Sequence, residues 1–340
     1  MKYLKNKLSV GGCLLITSLC ATSCLQIHTY DPLEFKIICN RGPIAYVLCG
    51  YFDDDNLNVS KDESQIEKAF ETNEYGIIGY DTIKGLELCE KYDNYVLLQN
   101  YCGGSYTLIS TNPEVSKTFE GCKILANNEK GTLGAILNFV KGNFNIDDVS
   151  FVESPSYEFY SDIRSGRYLS DYDFIALKAP YAQRLISNEE EDNKAFGNVC
   201  QSFRLYNIYG QMMDPNTLNY DKYYYAEDSL FISKDLLNNN SLNKNYQSFI
   251  DTTNIITDKA INDPYQTMTQ FNRKTNKRDI QFENYGYSID EIGELQNWEQ
   301  HNNVKIPYNY TRFSTTFSNS DLQDYLNLIG KSFDEKLFYK

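Results

Sequence analysis

Histidine is almost missing from this chain: His28 and His301 are the two present in 340 residues, and no Cys-x-x-Cys pair accompanies them. That argues against a zinc site. Positive charge is also short, with 32 Lys and Arg against 46 Asp and Glu and a formal charge of -14. Such a surface repels phosphate backbones and anionic headgroups, so nucleic acid is excluded as a partner. Beyond the first two dozen residues, no apolar run approaches the roughly 18 positions that a spanning helix needs. Catalytic signatures are absent as well: there is no Gly-x-Ser-x-Gly, no Gly-x-Gly-x-x-Gly and no His-Glu-x-x-His. Gly330-Lys331-Ser332 ends like a phosphate loop, but Tyr325 stands where its first glycine belongs. Asp53-Asp54-Asp55 lacks the turn glycine of a calcium loop and reads as a solvated turn. The chain therefore offers no catalytic residue, no metal and no cofactor, and is not read as an enzyme.

What is present begins with an address. Lys2, Lys5 and Lys7 precede the apolar run Val10 to Leu19, and Ala21-Thr22-Ser23 stand before Cys24. That is the charged, hydrophobic and cleavable order of an export signal. With a cysteine directly after the small residues, the segment resembles a bacterial lipoprotein signal, in which Cys24 is lipidated and becomes the mature N-terminus. An ordinary signal with an incidental cysteine and an uncleaved anchor are the competing readings. Two or three acyl chains hold a protein firmly to a membrane where one does not, so residues 1–23 are expected as signal, 24–33 as tether, and the rest on the outer face of the cell membrane.

About 316 residues follow, enough for two lobes with a sizeable core. Six cysteines remain there: Cys39, Cys49, Cys89, Cys102, Cys122 and Cys200. Most lie in apolar patterns, which favours buried thiols over one or two bridges. The chain holds 29 Tyr and 19 Phe against one Trp, so a tyrosine in a pocket carries little weight alone.

The hydrophobic pattern alternates short strands with helices. Strands are expected at Phe35–Cys39, Leu57–Val59, Tyr75–Tyr80, Tyr95–Gln99 and Tyr106–Ser110, with helices from Ile44, Glu63 and Thr82. After Asn112-Pro113 the rhythm restarts: strands at Cys122–Ala126, Val149–Val152 and Phe174–Leu177, with helices from Gly131-Thr132 and Pro155. This predicts parallel α/β layers covered on both faces, in two lobes. Beyond Cys200 the pattern is less regular, with strands at Phe203–Tyr209 and Ser229–Ile232 followed by polar helices.

Ligands of open α/β sheets bind at the carboxyl ends of strands. At Gly131-Thr132, free backbone N–H groups and a hydroxyl either receive an anionic oxygen or cap their own helix. Glu153 ends an apolar strand and either pairs with a ligand amine or faces solvent. Arg41 either grips an anion or is solvated. Tyr80, Tyr157 and Tyr181 are candidates for stacking on a flat ligand.

Five stretches in this order resemble the substrate-binding proteins of bacterial ABC importers, in the nitrate, taurine and thiamine-precursor branch. They are Gly42-Pro43-Ile44-Ala45, Tyr75 to Asp81, Lys123 to Phe139, Ile175 to Ala182 and Ala226 to Leu237. Ala179 departs from the family's pattern, which often has glutamate there. The resemblance implies the type 2 periplasmic-binding, or Venus-flytrap, architecture: lobe 1 from 34–112 plus about 227–340, and lobe 2 from 113–226. It also implies a pocket of Arg41, Gly42, Gly79, Asp81, Gly131, Thr132, Glu153 and Tyr181, and a monomer that captures a small solute and delivers it to an ABC permease. Tyrosines and Glu153 lean toward a heteroaromatic or amine-bearing solute. Two rivals remain: a surface interaction lipoprotein that kept the fold and lost transport, and an enzyme like the pyrimidine synthases of a related branch.

Overall fold

In the computed structural model, residues 33–262 and 318–339 are described apart from short gaps, the longest being 186–195 and 206–224. Cys24, Arg41 and Gly42 lie outside the described residues. Two five-stranded sheets organise the chain. The first contains β1 (Ile37–Asn40), β2 (Leu57–Ser60), β3 (Ile77–Asp81), β4 (Tyr95–Gly103) and β10 (Tyr225–Ser233), in the order β2-β1-β3-β10-β4. The second contains β5 (Tyr106–Ser110), β6 (Lys123–Asn127), β7 (Asp148–Val152), β8 (Phe174–Lys178) and β9 (Gln201–Arg204), in the order β7-β6-β8-β5-β9. The two orders are the same pattern used twice.

Each sheet carries one strand that runs against the others. In the first it is β10, antiparallel to both β3 and β4; in the second it is β5, antiparallel to β8 and β9. The purely parallel layer read from the alternation of strands and helices is therefore corrected. The physical reason is connectivity: β4 leads into β5 across 104–105 with no helix between them, so β5 starts the second sheet in the reverse direction. For the same reason Tyr106–Ser110 pairs in the second sheet.

Helices cover both sheets. Around the first sheet lie α1 (Pro43–Val47), α2 (Glu63–Thr72), α3 (Thr82–Tyr92), α6 (Lys234–Asn238), α7 (Asn243–Asn262) and α8 (Asn319–Leu328). Around the second lie α4 (Thr132–Phe144) and α5 (Ser156–Arg164). Local chemistry sets their ends: Asp62 caps α2 by accepting from Ser64 N, and Asn73 closes it in the left-handed conformation. Buried apolar residues from α2, α3 and α4, with both sheets, form one cluster that includes Phe70, Ile83, Leu108, Ile124, Ile136 and Phe231. A second cluster, around Phe159, Ile163 and Ile175, sits under α5. Cys39, Cys89 and Cys122 are buried and Cys200 is exposed, and no bridge joins any two of these four.

Gly79 shows how tightly α1 is seated. A Cβ there would stand 2.8 Å from both Cys39 Cβ and Ile44 Cγ1. Its hydrogen is thus what lets the first helix lie against β1 and β3. Gly79→Ala is expected to cost about 1–3 kcal/mol through overpacking, measured by urea denaturation; an unchanged midpoint would refute this packing account.

Candidate functional site

Asp81 is the last residue of β3 and the N-cap of α3. Its Oδ1 accepts hydrogen bonds from the backbone N–H groups of Ile83 and Lys84, both at 3.0 Å. The same carboxylate reaches across to the second sheet's layer, where Thr132 N at the start of α4 donates to Oδ2 at 3.0 Å and to Oδ1 at 3.3 Å. One carboxylate therefore sits between two helix N-termini, each presenting unsatisfied amides and a positive dipole end. Burial raises its pKa, and the Lys84 amide and ammonium together with Thr132 N–H work the other way.

Gly131 permits that approach in two ways. Its φ of 103° and ψ of -168° form a backbone region that essentially only glycine occupies. A Cβ at this position would also stand 3.1 Å from both carboxylate oxygens of Asp81. Thr132 is fully buried, and its hydroxyl donates to the carbonyls of Ala226 and Glu227 at 3.4 Å each. Gly131-Thr132 thus faces an anionic oxygen that belongs to the protein.

Beside this bridge lies a second polar cluster. Near the start of β10 stand Glu227 and Asp228, both fully buried, and the strand's register places Asp228 opposite Asp81. From the end of β8, Lys178 Nζ approaches Glu227 Oε1 at 3.0 Å and Asp228 Oδ2 at 3.4 Å. It also lies 5.6 Å from the ring centre of Tyr106, its partner across the β5–β8 ladder. Burial works to lower the lysine's pKa, but the carboxylates of Asp228 and Glu227 outweigh it and hold the ammonium well above its usual range. Burial pushes the Asp228 carboxyl up to about 7; Lys178 opposes the shift and Glu227 adds to it. Asp228 Oδ1 is buried with no hydrogen-bond partner. Three carboxylates, those of Asp81, Glu227 and Asp228, thus gather near the ammonium of Lys178, and the Lys84 ammonium acts on Asp81 as well.

The remaining expected residues are placed apart from this centre. Glu153 accepts from Glu129 N at 3.2 Å and so orders the loop that leads into α4. Tyr181 stacks on Tyr160, with ring centres 5.0 Å apart, and packs on the cluster under α5. Gly79 is taken up by helix seating. Tyr80 is a buried core ring whose hydroxyl donates to Glu63 at 3.0 Å and Glu67 at 3.2 Å, which removes it from stacking on a ligand. Lys178, Glu227 and Asp228 were not picked out from sequence. The available signal was two adjacent acids inside an apolar strand, and a lysine closing another.

A cavity of about 300 Å³ lies elsewhere, lined by Ser110, Asn112, Lys123, Asp171 and Asp173 at the amino ends of β6 and β8. That is the opposite end of the second sheet from Lys178. Among the described residues, no group of three or more His, Cys, Asp or Glu could hold a metal ion.

No family model matches the sequence, and no curated protein matches it. Solved structures do. An ABC transporter protein from Parabacteroides distasonis is similar at a TM-score of 0.58 and 14% identity, over 91% of this chain and 99% of that one. The zinc-bound ligand-binding component of an ABC-type import system from Staphylococcus aureus gives 0.56 and 10%, over 90% and 95%. The periplasmic aliphatic sulphonate-binding protein SsuA from Escherichia coli gives 0.56 and 12%, over 91% and 93%. The chain has the type 2 periplasmic-binding fold. The Asp81 bridge and the Lys178 cluster join the layers of the two sheets at the carboxyl ends of β3 and β8.

Two predictions test the electrostatics. Asp228 binds its proton more tightly in the folded chain than in the unfolded one. Its contribution is therefore full below about pH 4 and lost as pH rises through about 7. Relative to Asp228→Asn, the natural protein should lose on the order of 2–4 kcal/mol between pH 4 and pH 8, measured by denaturation at several pH values; parallel pH profiles would contradict the assignment. Gly131→Ala should cost about 1–3 kcal/mol from backbone strain, and pairing it with Asp81→Ala in a double-mutant cycle should reveal coupling. Additive effects would show that the Asp81–Thr132 contact does not depend on this glycine.

Proposed function

We propose that the chain is an extracytoplasmic solute-binding protein, held to the outer face of the cell membrane through lipid on Cys24. It captures a small heteroaromatic or amine-bearing molecule between its lobes and delivers it to an ABC permease. The observation that carries the reading is the convergence of Asp81, Thr132, Lys178, Glu227 and Asp228 from both sheets' layers beside the carboxyl ends of β3 and β8, where open α/β folds place their ligands. The solved binding components that share the fold lend it support. Among the described residues no helix is long and apolar enough to cross a membrane. Hinge closure about the strands that join the lobes supplies the capture step.

A second reading has its own observation. Because the protein's carboxylate already fills the seat at α4, the fold could serve a surface interaction with no transported solute. A thermal-shift screen of the mature protein against pyrimidines, flavins, sulfonates and amines separates the two. Transport predicts stabilisation of roughly 2.7 kcal/mol at a hundredfold excess over Kd, which is a shift of several degrees. Silence across all four classes would favour the interaction reading. Cys24→Ala is expected to release the protein from the membrane fraction and to abolish incorporation of labelled palmitate; retention of both would remove the anchor from the proposal.

A further inference from the structure

The cavity at the amino ends of β6 and β8 has a floor and a rim of opposite character. Ile109, Ile175 and Phe196 line it, all buried and all members of the apolar cluster under α5. Lys123, Asp171 and Asp173 line it as well, so charges of both signs meet the same space. Backbone bonds set where they stand. Tyr168 takes a left-handed φ of 72° and its carbonyl accepts from Asp171 N at 3.1 Å, which turns the chain between α5 and β8. Asp173 N then donates to the Lys123 carbonyl at 2.9 Å, and Lys123 N returns a bond to Asp173 Oδ2 at 2.8 Å. Asp171 Oδ1 accepts from the neighbouring Ser170 hydroxyl at 3.1 Å. Each carboxylate keeps a second oxygen for a further donor. Among the described residues the Lys123 ammonium makes no ion pair, although two carboxylates line the same cavity.

We propose that this cavity binds a free α-amino acid with an apolar side chain. The ligand's ammonium meets Asp171 and Asp173, its carboxylate meets Lys123, and its side chain lies on Ile109, Ile175 and Phe196. A purely ionic solute would gain nothing from the apolar floor, and a hydrocarbon would leave both signs of charge at the rim unused. A molecule that is apolar at one end and zwitterionic at the other uses all of it. The volume of about 300 Å³ agrees: ligand pockets run from roughly 300 to 1,000 Å³, so this one suits a single small molecule and not a peptide or a nucleotide. Lys123 and Asp171 are exposed, so their charges select more than they bind; the floor supplies the larger share through burial. The inference stands apart from the solute-binding reading, because the cavity lies at the opposite end of the second sheet from Lys178.

The test is isothermal titration of the mature protein with L-leucine and L-phenylalanine. Phenethylamine serves as the ammonium alone, 3-phenylpropanoate as the carboxylate alone, and glycine as both charges without a side chain. The two apolar amino acids should bind, and each of the other three should bind at least threefold more weakly. Lys123→Gln and Asp171→Asn should each weaken the amino acids about three- to fivefold, the range of exposed ion pairs, while Lys123→Arg keeps the natural affinity. Both side chains are exposed, so the variants are expected to fold, and an unchanged Tm in cooperative thermal unfolding checks it. Amino-acid affinities unmoved in both Lys123→Gln and Asp171→Asn would place the binding elsewhere and overturn the assignment. Phenethylamine or 3-phenylpropanoate binding as tightly as phenylalanine would overturn the zwitterion class, and glycine doing so would overturn the role of the floor. No binding of either amino acid at millimolar concentration, by titration and by thermal shift, would overturn the proposal as a whole.

Discussion

A single carboxylate joining two helix N-termini organises the region between the sheets. Asp81 ends β3, caps α3 and accepts the first amide of α4. Each helix alone would leave N–H groups to be satisfied by water or a ligand. Here one anion serves both, and the two layers are brought into register around it. Gly131 follows from this constraint: its backbone conformation and missing side chain make room for an acid that arrives from the other sheet.

Topology decides which charges gather beside that bridge. β10 enters the first sheet between β3 and β4, so the strand lies in the interior of the sheet, not at an edge. Glu227 and Asp228 are consequently buried whatever their preference for water. β8 ends with Lys178 beside Tyr106 of the reversed strand β5, and this brings the ammonium to the acids. The fold thus forces a buried ionic group that neither sheet would hold alone.

Much of the architecture was legible in the chain because short apolar strands and capped helices leave local marks. Asp62, Asp81 and Ser233 announce helix starts through their side chains, and Gly131-Thr132 marks a loop meeting a helix. Strand direction was not legible, because Tyr106–Ser110 has the same apolar pattern whichever way it runs; only pairing with β8 and β9 fixes it. The centre was half legible. Asp81, Gly131 and Thr132 stood out as turn residues, but their mutual contact joins positions some fifty residues apart. Lys178, Glu227 and Asp228 were hidden by a rule that usually holds, that charges at strand ends face water. Glu153 and Tyr181 stood out by residue type, yet they serve a loop and a stack within the second lobe.

The placement of β10 also sets an order of assembly. The second sheet is built from one continuous stretch, from Tyr106 to Arg204, and needs nothing before or after it to complete its ladders. The first sheet instead waits for a strand that lies more than a hundred residues downstream of β4, its partner in the ladder. Until Tyr225–Ser233 arrives, β3 and β4 have open sides, and unpaired strand edges invite association with other chains. As the chain emerges from the ribosome or an export channel, the second lobe is the part able to fold first. The first closes last, around the strand that carries its acids.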